Sequence, residues 1–395
     1  MVKLRGWVVV VVVAVALAAC SSATGSSTTS SGAAGAGPRS GQSGNAGNIV
    51  ADAKAALQRN YRGTDGPVPP AGPPAAKNKS IWVITCGQAA VGCATLGNAA
   101  VAAARTIGWK VTLCDGKLSP PTYVQCVYSA IAAHADAIVP TIVDCPDISS
   151  PLAAARRAGI KIFGLVSFDC DVAGGANLFN ATVHYHGAST LADFYATLAK
   201  TMADYVIAKS NGTAHVLLIG ENDDYTGRTI FAAQRAELAR CTSCRAYDLI
   251  FSLSDLGSGV LASKVSAALV QHPDVTTVVA GFDAAIDAGI GQAVSSAGRP
   301  LMLTGLEGLP ANISLIKQGR QAAVAGISLG WIGWAAIDGL NRLFAGQPQV
   351  DEGIGWQTVD KDHNLPKTPA YDGNVGSNGQ PKQDYQAIYR KSWGK

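Results

Sequence analysis

The stretch "LMLTGLEGLP", residues 301–310, is an apolar run that stops at Gly305 and leaves through a glycine and a proline. A short apolar run bounded by turn residues predicts a buried strand. One carboxylate, Glu307, stands two residues beyond the end of that predicted strand. Seven similar runs precede it, at residues 81–85, 110–113, 137–140, 161–166, 215–219, 247–251 and 276–280.

Amphipathic stretches with helical spacing separate these runs, at 96–107, 123–133, 151–158, 190–208, 229–239, 259–271 and 285–297. Alternating strands and helices predict an α/β fold with parallel sheets covered on both faces. The strand–helix pairs are too many for one small sheet, and the alternation of strands and helices is interrupted near 177–186. The sequence therefore predicts two doubly wound parallel-sheet lobes. Ligands of open parallel sheets bind at the carboxyl ends of the strands, which is where Glu307 is expected.

The N-terminal residues 1–20, "MVKLRGWVVVVVVAVALAAC", combine two cations, a short apolar stretch and small residues before Cys20. This order is typical of a secretory signal, and Leu17 to Cys20 resemble a bacterial lipobox. We therefore expect cleavage after residue 19 and lipidation of Cys20, which would anchor the protein to the outer face of a membrane. An uncleaved signal anchor with an unmodified cysteine is the alternative.

Residues 21–47 are rich in Ser, Gly, Thr and Ala, which predicts a flexible tether. Apolar positions at helical spacing follow in 49–59, and 66–79 form a proline-rich spacer. We expect the folded domain to begin near residue 79. Formal net charge is +4, and removal of Lys3 and Arg5 with the signal leaves +2, so nothing indicates a nucleic-acid partner.

Eight cysteines remain after Cys20, and an even set in an exported chain indicates disulfides. Their short spacings favour Cys86–Cys93 and Cys114–Cys126, and a Cys145–Cys170 bond would join two neighbouring loops. Cys241 and Cys244 form a CxxC pattern, which is compatible with a redox or zinc site. Because no second CxxC or nearby histidine completes a zinc set, we favour a structural bridge there.

Catalysis and metal binding are not indicated. The sequence has no nucleophile elbow and no Walker-type phosphate loop, so we expect neither an enzyme nor a cofactor. The triplet His184-Tyr185-His186 has too few ligands for a metal site, so no metal is expected either.

Four groups of segments, taken in this order and spacing, resemble type I periplasmic solute-binding proteins. The branch of that family is the one of ribose and simple-sugar receptors of ABC transporters. The four groups are "IWVITCGQ" (81–88) with "AARTIGWKVTLCDGK" (103–117), "ADAIVPTIVD" (135–144) with "AARRAGIKIFGLVS" (154–167), "VVAGFDAAIDAGIGQAVSSAGRP" (278–300), and "LMLTGLEGLPANISLIKQGRQAAVAGIS" (301–328). The resemblance spans roughly 79–360. It implies two lobes that close on a ligand like a hinged clamp.

The same resemblance implies three chain crossings between the lobes, near 180–184, 326–328 and 355–357. The N-terminal lobe would comprise 79–182 and 327–355, the C-terminal lobe 183–326 and 356–372, and the tail 373–395. The resemblance further implies an extracytoplasmic lipoprotein of an ABC importer, with a membrane permease as its partner. We expect the protein to be a monomer. The alternative is a sensor domain that reports ligand state to a membrane signalling receptor.

The chain departs from the sugar receptors at several site positions. Where relatives carry an asparagine and stacking aromatics, it has "QAAVGC" (88–93), and an Asp-Arg pair is replaced by Val166 and Ser167. Phe282 and Glu307 stand where relatives carry an asparagine and an aspartate, and Gly326 replaces a hinge glutamine. The resulting candidate ligand-binding residues are Gln88, Phe168, Asp169, His184, Tyr225, Arg228, Phe282, Asp283 and Glu307.

Fewer hydroxyl-directed groups favour a small solute that is either sugar-like or a cyclic or aromatic carboxylate. Arg228 could receive a carboxylate, and Phe168 and Phe282 could cover a ring. Each residue also has a structural alternative. Asp283 could cap a helix, Arg228 could pair with a neighbouring aspartate, and Glu307 could be solvated or ion-paired.

Overall fold

The computed structural model describes residues 43–395, with side chains from Asn48 onward. Within that part, the strands are β1 (Ser80–Thr85), β2 (Lys110–Asp115), β3 (Ala137–Thr141), β4 (Lys161–Gly164), β5 (Ala181–Thr182), β6 (His215–Glu221), β7 (Arg245–Phe251), β8 (Thr277–Ala280), β9 (Met302–Glu307), β10 (Ala323–Gly326) and β11 (Gln357–Asp360). Each of the eight predicted runs overlaps one of these strands.

The α-helices of the same part are α1 (Ser43–Arg62), α2 (Val91–Ile107), α3 (Pro120–Ala132), α4 (Cys145–Arg157), α5 (Leu191–Lys209), α6 (Tyr225–Ala239), α7 (Leu253–Ser258), α8 (Leu261–Gln271), α9 (Asp283–Ala285), α10 (Gly291–Ser295), α11 (Pro310–Lys317), α12 (Leu329–Phe344) and α13 (Tyr385–Trp393). A 3₁₀ turn covers Cys170–Ala173, and a π-helical turn at Ile286–Ile290 interrupts the helix predicted at 285–297.

Two sheets form the two lobes. The first has the strand order β2-β1-β3-β4-β5, and all of its strands are parallel. The second has the order β11-β10-β9-β8-β6-β7 and is parallel except for the β10–β11 pair. Helices cover both faces of each sheet, so the prediction of two doubly wound α/β lobes is confirmed.

The chain passes between the lobes three times. It leaves the first sheet after β5 and enters α5 of the second lobe, and it returns after β10 through α12, which packs on α2. The third passage leads into β11. His184 and Asp351 pair as an isolated bridge, so the first and third crossings lie side by side.

The packed part of the chain begins well before residue 79, contrary to the expectation from sequence. Helix α1 packs on α5, and Ile49, Ala53, Leu57 and Tyr61 recur on its buried face. The proline-rich segment is also anchored, because the indole of Trp109 donates a hydrogen bond to the Ala76 carbonyl at 2.7 Å. The predicted tether therefore ends by residue 43, while the signal segment and Cys20 lie outside the described residues.

The C-terminal residues are likewise part of the fold rather than a free tail. Helix α13 packs on α12, and Trp393 stacks on Trp334 with 5.5 Å between ring centroids. The indole N–H of Trp393 donates a hydrogen bond to buried Asp338 at 2.7 Å. In the part of the chain that is described, no helix is both long and apolar enough to cross a bilayer.

Four disulfides are present: Cys86–Cys93, Cys114–Cys126, Cys145–Cys170 and Cys241–Cys244. These are the pairs that the spacings favoured. Three of them lie in the first lobe and fasten loops or helix ends to strands near its sheet.

Candidate interlobe ligand-binding cleft

A cavity of about 730 Å³, its open mouth included, lies between the two lobes. From the first lobe, helix α2 and the loops after β3 and β4 reach it, and from the second lobe α5, α6, α7, α9 and the end of β9 do so. The lining residues are Ala90, Gly92, Cys93, Leu96, Ile142, Val166, Tyr195, Leu198, Asp224, Thr226, Gly227, Ile230, Leu253, Leu256, Phe282, Ala284, Leu306, Glu307, Ile327 and Leu329. Its position at the carboxyl ends of parallel strands is where ligands of such sheets bind.

Three lining residues have a left-handed backbone that their side chains disfavour. Ile142 and Val166 each have φ of 51°, and Glu307 has φ of 99°. They follow or end β3, β4 and β9, so each aims its side chain from a strand end. A β-branched residue in this region is a true outlier, and such strain collects at functional sites where the surrounding fold enforces it. The strained backbone and the cavity therefore indicate the same candidate functional site.

Glu307 is the carboxyl group at the base of the cleft. Strand β9 runs through Glu307, so this residue ends the strand instead of following it at a distance. Its carboxyl lies against α2 of the other lobe, because a Cβ built on Gly92 would be 3.2 Å from Glu307 Oε1. Buried Oε2 has no hydrogen-bond partner in the described residues.

Burial raises the pKa of Glu307 well above its usual range, and the charge of Asp283 raises it further. The backbone amides of Ala284 and Asp283 oppose this shift in part. These surroundings therefore favour the neutral form of Glu307, and a cation or a hydrogen-bond donor facing it would favour the charged form.

A second acidic group stands at the start of α6. Asp224 lines the cavity and caps this helix by accepting a hydrogen bond from the Gly227 N–H at 2.6 Å. Glu221 lies behind it, accepts from the Asp224 N–H at 3.3 Å, and leaves its Oε2 unpartnered. Burial, followed by the charge of Asp224, raises the pKa of Glu221 to about 9. Thr226, 8 % exposed, brings another unpartnered oxygen to the lining.

A hydrogen-bonded contact joins the lobes next to the lining residue Asp224. Asp144 of the first lobe accepts hydrogen bonds from the backbone N–H groups of Phe168 and Tyr225, each at 2.8 Å, and Tyr225 belongs to the second lobe. The rings of Phe168 and Tyr225 lie beside each other with centroids 5.8 Å apart. Burial, helped by the nearby charge of Asp224, raises the pKa of Asp144 to about 7.

Two of the nine candidate residues, Phe282 and Glu307, line the cavity. Three more lie together outside the lining, where the Arg228 guanidinium lies 4.0 Å from the Tyr225 ring centroid and the Phe168 ring centroid lies 5.8 Å from it. Arg228 is exposed and donates to the Asn222 carbonyl at 2.9 Å, so it does not point into the cleft.

The other four candidates do not line this cavity, and their expected ligand roles stay predictions. Gln88 donates to the Thr85 hydroxyl at 3.2 Å. Asp169 accepts from the amides of Cys170, Leu178 and Phe179.

His184 is exposed in the hinge. Asp283 is fully buried and accepts from the amides of Gly308 and Leu309 and from Gln321. Its carboxylate therefore holds the turn between β9 and α11, and the N-cap of α9 is Phe282 instead.

Sequence reasoning missed most of the lining, including Ile142, Tyr195, Leu198 and Leu329. These residues read as ordinary core positions of strands and amphipathic helices, and only the fold brings them to the cleft. The one available signal was position, because Ile142 and Val166 follow the ends of two predicted parallel strands.

Among the described residues, Cys145, Asp169 and Cys170 lie close enough together to suggest a metal site. The two sulfurs are joined in a disulfide and therefore offer no thiolate. The carboxylate of Asp169 is used by backbone amides.

Comparison with known proteins gives one family model, described as a periplasmic binding protein domain, which matches residues 83–348. A search of curated proteins gives no significant match. Among solved structures, an ABC transporter solute-binding protein from Mycobacterium smegmatis with bound glycerol is similar, with 18 % identity and a TM-score of 0.64 over 75 % of this chain and 100 % of the other.

A solute-binding protein from Burkholderia graminis in complex with D-arabinose has 21 % identity and a TM-score of 0.61, over 74 % of this chain and 98 % of the other. The glucose-galactose binding protein GanP from Geobacillus stearothermophilus has 15 % identity and a TM-score of 0.62, over 73 % and 99 %. At these identities the structures show the fold, and the family model covers more than half of the chain. With its two hinged parallel-sheet lobes, the chain therefore belongs to the type I periplasmic binding protein family.

Proposed function

We propose that this protein is the extracytoplasmic substrate-binding component of an ABC importer, which captures a small organic solute between its lobes by hinge closure. The observation that carries the proposal is the cavity itself, which both lobes line and beside which the Asp144–Tyr225 hydrogen bond joins them. A site of this kind exists only in the closed arrangement, so occupation would couple to lobe movement.

Delivery to a membrane permease requires that the receptor be held near the membrane. The family supports an extracytoplasmic location. The lipobox-like residues ending at Cys20 support a lipid anchor, with the Ser- and Gly-rich segment as the tether. On this proposal the chain carries out no catalysis, and its partners are the solute and the permease.

A thermal-shift screen of the purified protein tests the receptor proposal. The panel would comprise sugars, polyols, carboxylates, amines and amino acids, because a ligand that binds only the folded state raises its melting temperature by mass action. We expect at least one class to raise it, and uptake of that solute by cells should fall when the gene is deleted. If no class shifts the melting temperature, the receptor proposal is overturned. If a solute binds but its uptake is unchanged after deletion, the transport role is overturned and the sensor role is favoured.

A further inference from the structure

The wall of the cavity is almost entirely hydrocarbon. Leu96, Ile142, Val166 and Leu329 face it from the first lobe and its returning helix, and Leu198, Leu253, Leu256, Phe282 and Leu306 from the second. A sugar carries hydroxyls around its ring, and each hydroxyl left unpaired in such a wall costs about 1 to 3 kcal/mol. The lining therefore disfavours a polyol and favours a solute with an apolar body.

The polar side chains of the lining are acceptors or hydroxyls. They are Tyr195, Asp224, Thr226 and Glu307, and no Lys, Arg, His, Asn, Gln or Trp stands among the lining residues. Two of their oxygens, Glu307 Oε2 and Thr226 Oγ1, are buried without a partner among the described residues. Glu307 Oε2 in its ionised form needs a hydrogen-bond donor, and the Thr226 hydroxyl can accept from the same donor.

Any charge that the lining side chains of the cleft can carry is negative. Asp224 and Glu307 are carboxyl groups of the lining, and buried Glu221 stands directly behind Gly227, where a built Cβ would meet its Oε2. Burial raises the pKa of the Tyr195 hydroxyl, and the charges of Tyr185, Glu307 and Asp224 raise it further. Arg228, a cation outside the lining, is already engaged by Tyr225 and Asn222. A carboxylate solute would meet like charge and find no cation in this lining.

From the aliphatic wall, the unpartnered acceptors and the excess of carboxyl groups, we propose that the solute is a small monoamine. Its hydrocarbon or aryl body fills the apolar cavity, and its ammonium group donates to Glu307, with Asp224, Thr226 and Tyr195 as further acceptors. An ammonium offers three donors and one positive charge, which matches the partners that the lining lacks. The inference rests on the proposed receptor function and narrows its substrate class.

A trio of compounds with one carbon skeleton separates the polar groups: cyclohexylmethylamine, cyclohexanemethanol and cyclohexanecarboxylate, with D-ribose as the polyol. Isothermal titration at pH 7.5 should give an affinity for the amine at least about tenfold above that for the alcohol. We expect no measurable binding of the carboxylate or of the sugar.

The variant Glu307→Gln keeps the size of the side chain and removes its charge. It should lower amine affinity at least about tenfold and abolish the preference of the amine over the alcohol. Glu237→Gln is the matched control, since Glu237 lies on α6 about 15 Å along the helix from Gly227. It should leave both affinities unchanged, and the melting temperature of each variant reports whether it is folded.

The outcomes separate this inference from the receptor proposal. Preferred binding of the carboxylate or the sugar, or an amine affinity unchanged in Glu307→Gln, overturns the amine assignment and leaves the receptor function standing. If no amine binds while another class in the wider screen does, the amine assignment is likewise overturned and the receptor function stands. Failure of every class overturns both.

Discussion

Asp144 of the first lobe accepts a hydrogen bond from the backbone N–H of Tyr225 of the second lobe, with 2.8 Å between nitrogen and oxygen. The other oxygen of the same carboxylate accepts from the Phe168 N–H. One side chain thus joins the loop after β4 to the first turn of α6 across the cleft. Because this bond requires both lobes to be closed, Asp144 stabilises the closed arrangement over an open one.

Replacing Asp144 with Asn should weaken solute binding. An amide has a single oxygen, so one of the two backbone donors would face an NH₂ group and lose its bond at a cost of about 1 to 3 kcal/mol. We expect a loss of affinity of about fivefold to a hundredfold in titration calorimetry. Asp147→Asn makes the same exchange in the first turn of α4, without an interlobe hydrogen bond, and serves as the control. Equal affinities for wild type and Asp144→Asn would contradict the role of this contact.

Phe282 and Arg228 should differ in their effect on binding. Phe282 lines the cavity, and its ring lies 5.8 Å from Phe251 with an edge-to-face geometry. Its truncation to alanine removes contact with the solute and should lower affinity at least about tenfold. Arg228→Ala removes an exposed side chain outside the lining and should change affinity less than about threefold. A larger loss in Arg228→Ala than in Phe282→Ala would refute the assignment of the cleft.

Asp283 should matter for folding rather than for recognition. Alanine at this position would leave the buried amides of Gly308 and Leu309 and the side chain of Gln321 without their acceptor. We expect a loss of about 2 to 4 kcal/mol in the free energy of unfolding, measured with urea. Asp287→Ala, at a half-exposed position one turn onward, should cost less than about 1 kcal/mol. A stable Asp283→Ala protein that no longer binds solute would reverse this interpretation.

Asp204 on α5 should give part of the stability a pH dependence. Burial, followed by the charge of Glu237, raises its pKa to about 7, against the opposing effect of Arg240, Arg59 and Lys200. The folded state therefore holds a proton that the unfolded chain releases near pH 4, and this contribution is lost as pH rises toward 7.

Between pH 5 and 8, the wild type should lose about 1 to 2 kcal/mol more stability than Asp204→Asn, which cannot titrate. Urea unfolding at the two pH values measures this difference. Equal losses in both proteins would show that the pKa of Asp204 is not raised in the folded state.

The lobes were predictable because their strands are short apolar runs separated by amphipathic stretches. Strands β5, β10 and β11 were missed because their sequences "AT", "AVAG" and "QTVD" are too short or too polar to read as buried strands. The helical spacing at 49–59 was recognised, but helix α1 was left outside the folded domain because it lies between a Ser- and Gly-rich segment and a proline-rich one. Its burial depends on α5, which lies far away in sequence.

The candidate site was less predictable than the fold. Glu307 and Phe282 were found because each lies at a strand end, and strand ends share one edge of a parallel sheet. Asp169 and Asp283 lie near the same edge, but their carboxylates turn toward backbone amides. Which way a side chain turns depends on local backbone donors, and this cannot be read from position alone.

Closure around a solute is the central claim, and the distance between the lobes tests it most directly. Spin labels on cysteines replacing exposed Tyr128 in the first lobe and exposed Val270 in the second would report that distance by pulsed electron resonance. The probe is the compound with the largest thermal shift in the screen. We predict that saturation with this compound narrows the distance distribution and shifts it to a single closed population, and that Asp144→Asn broadens it. A distribution that is unchanged by stoichiometric binding would contradict the account.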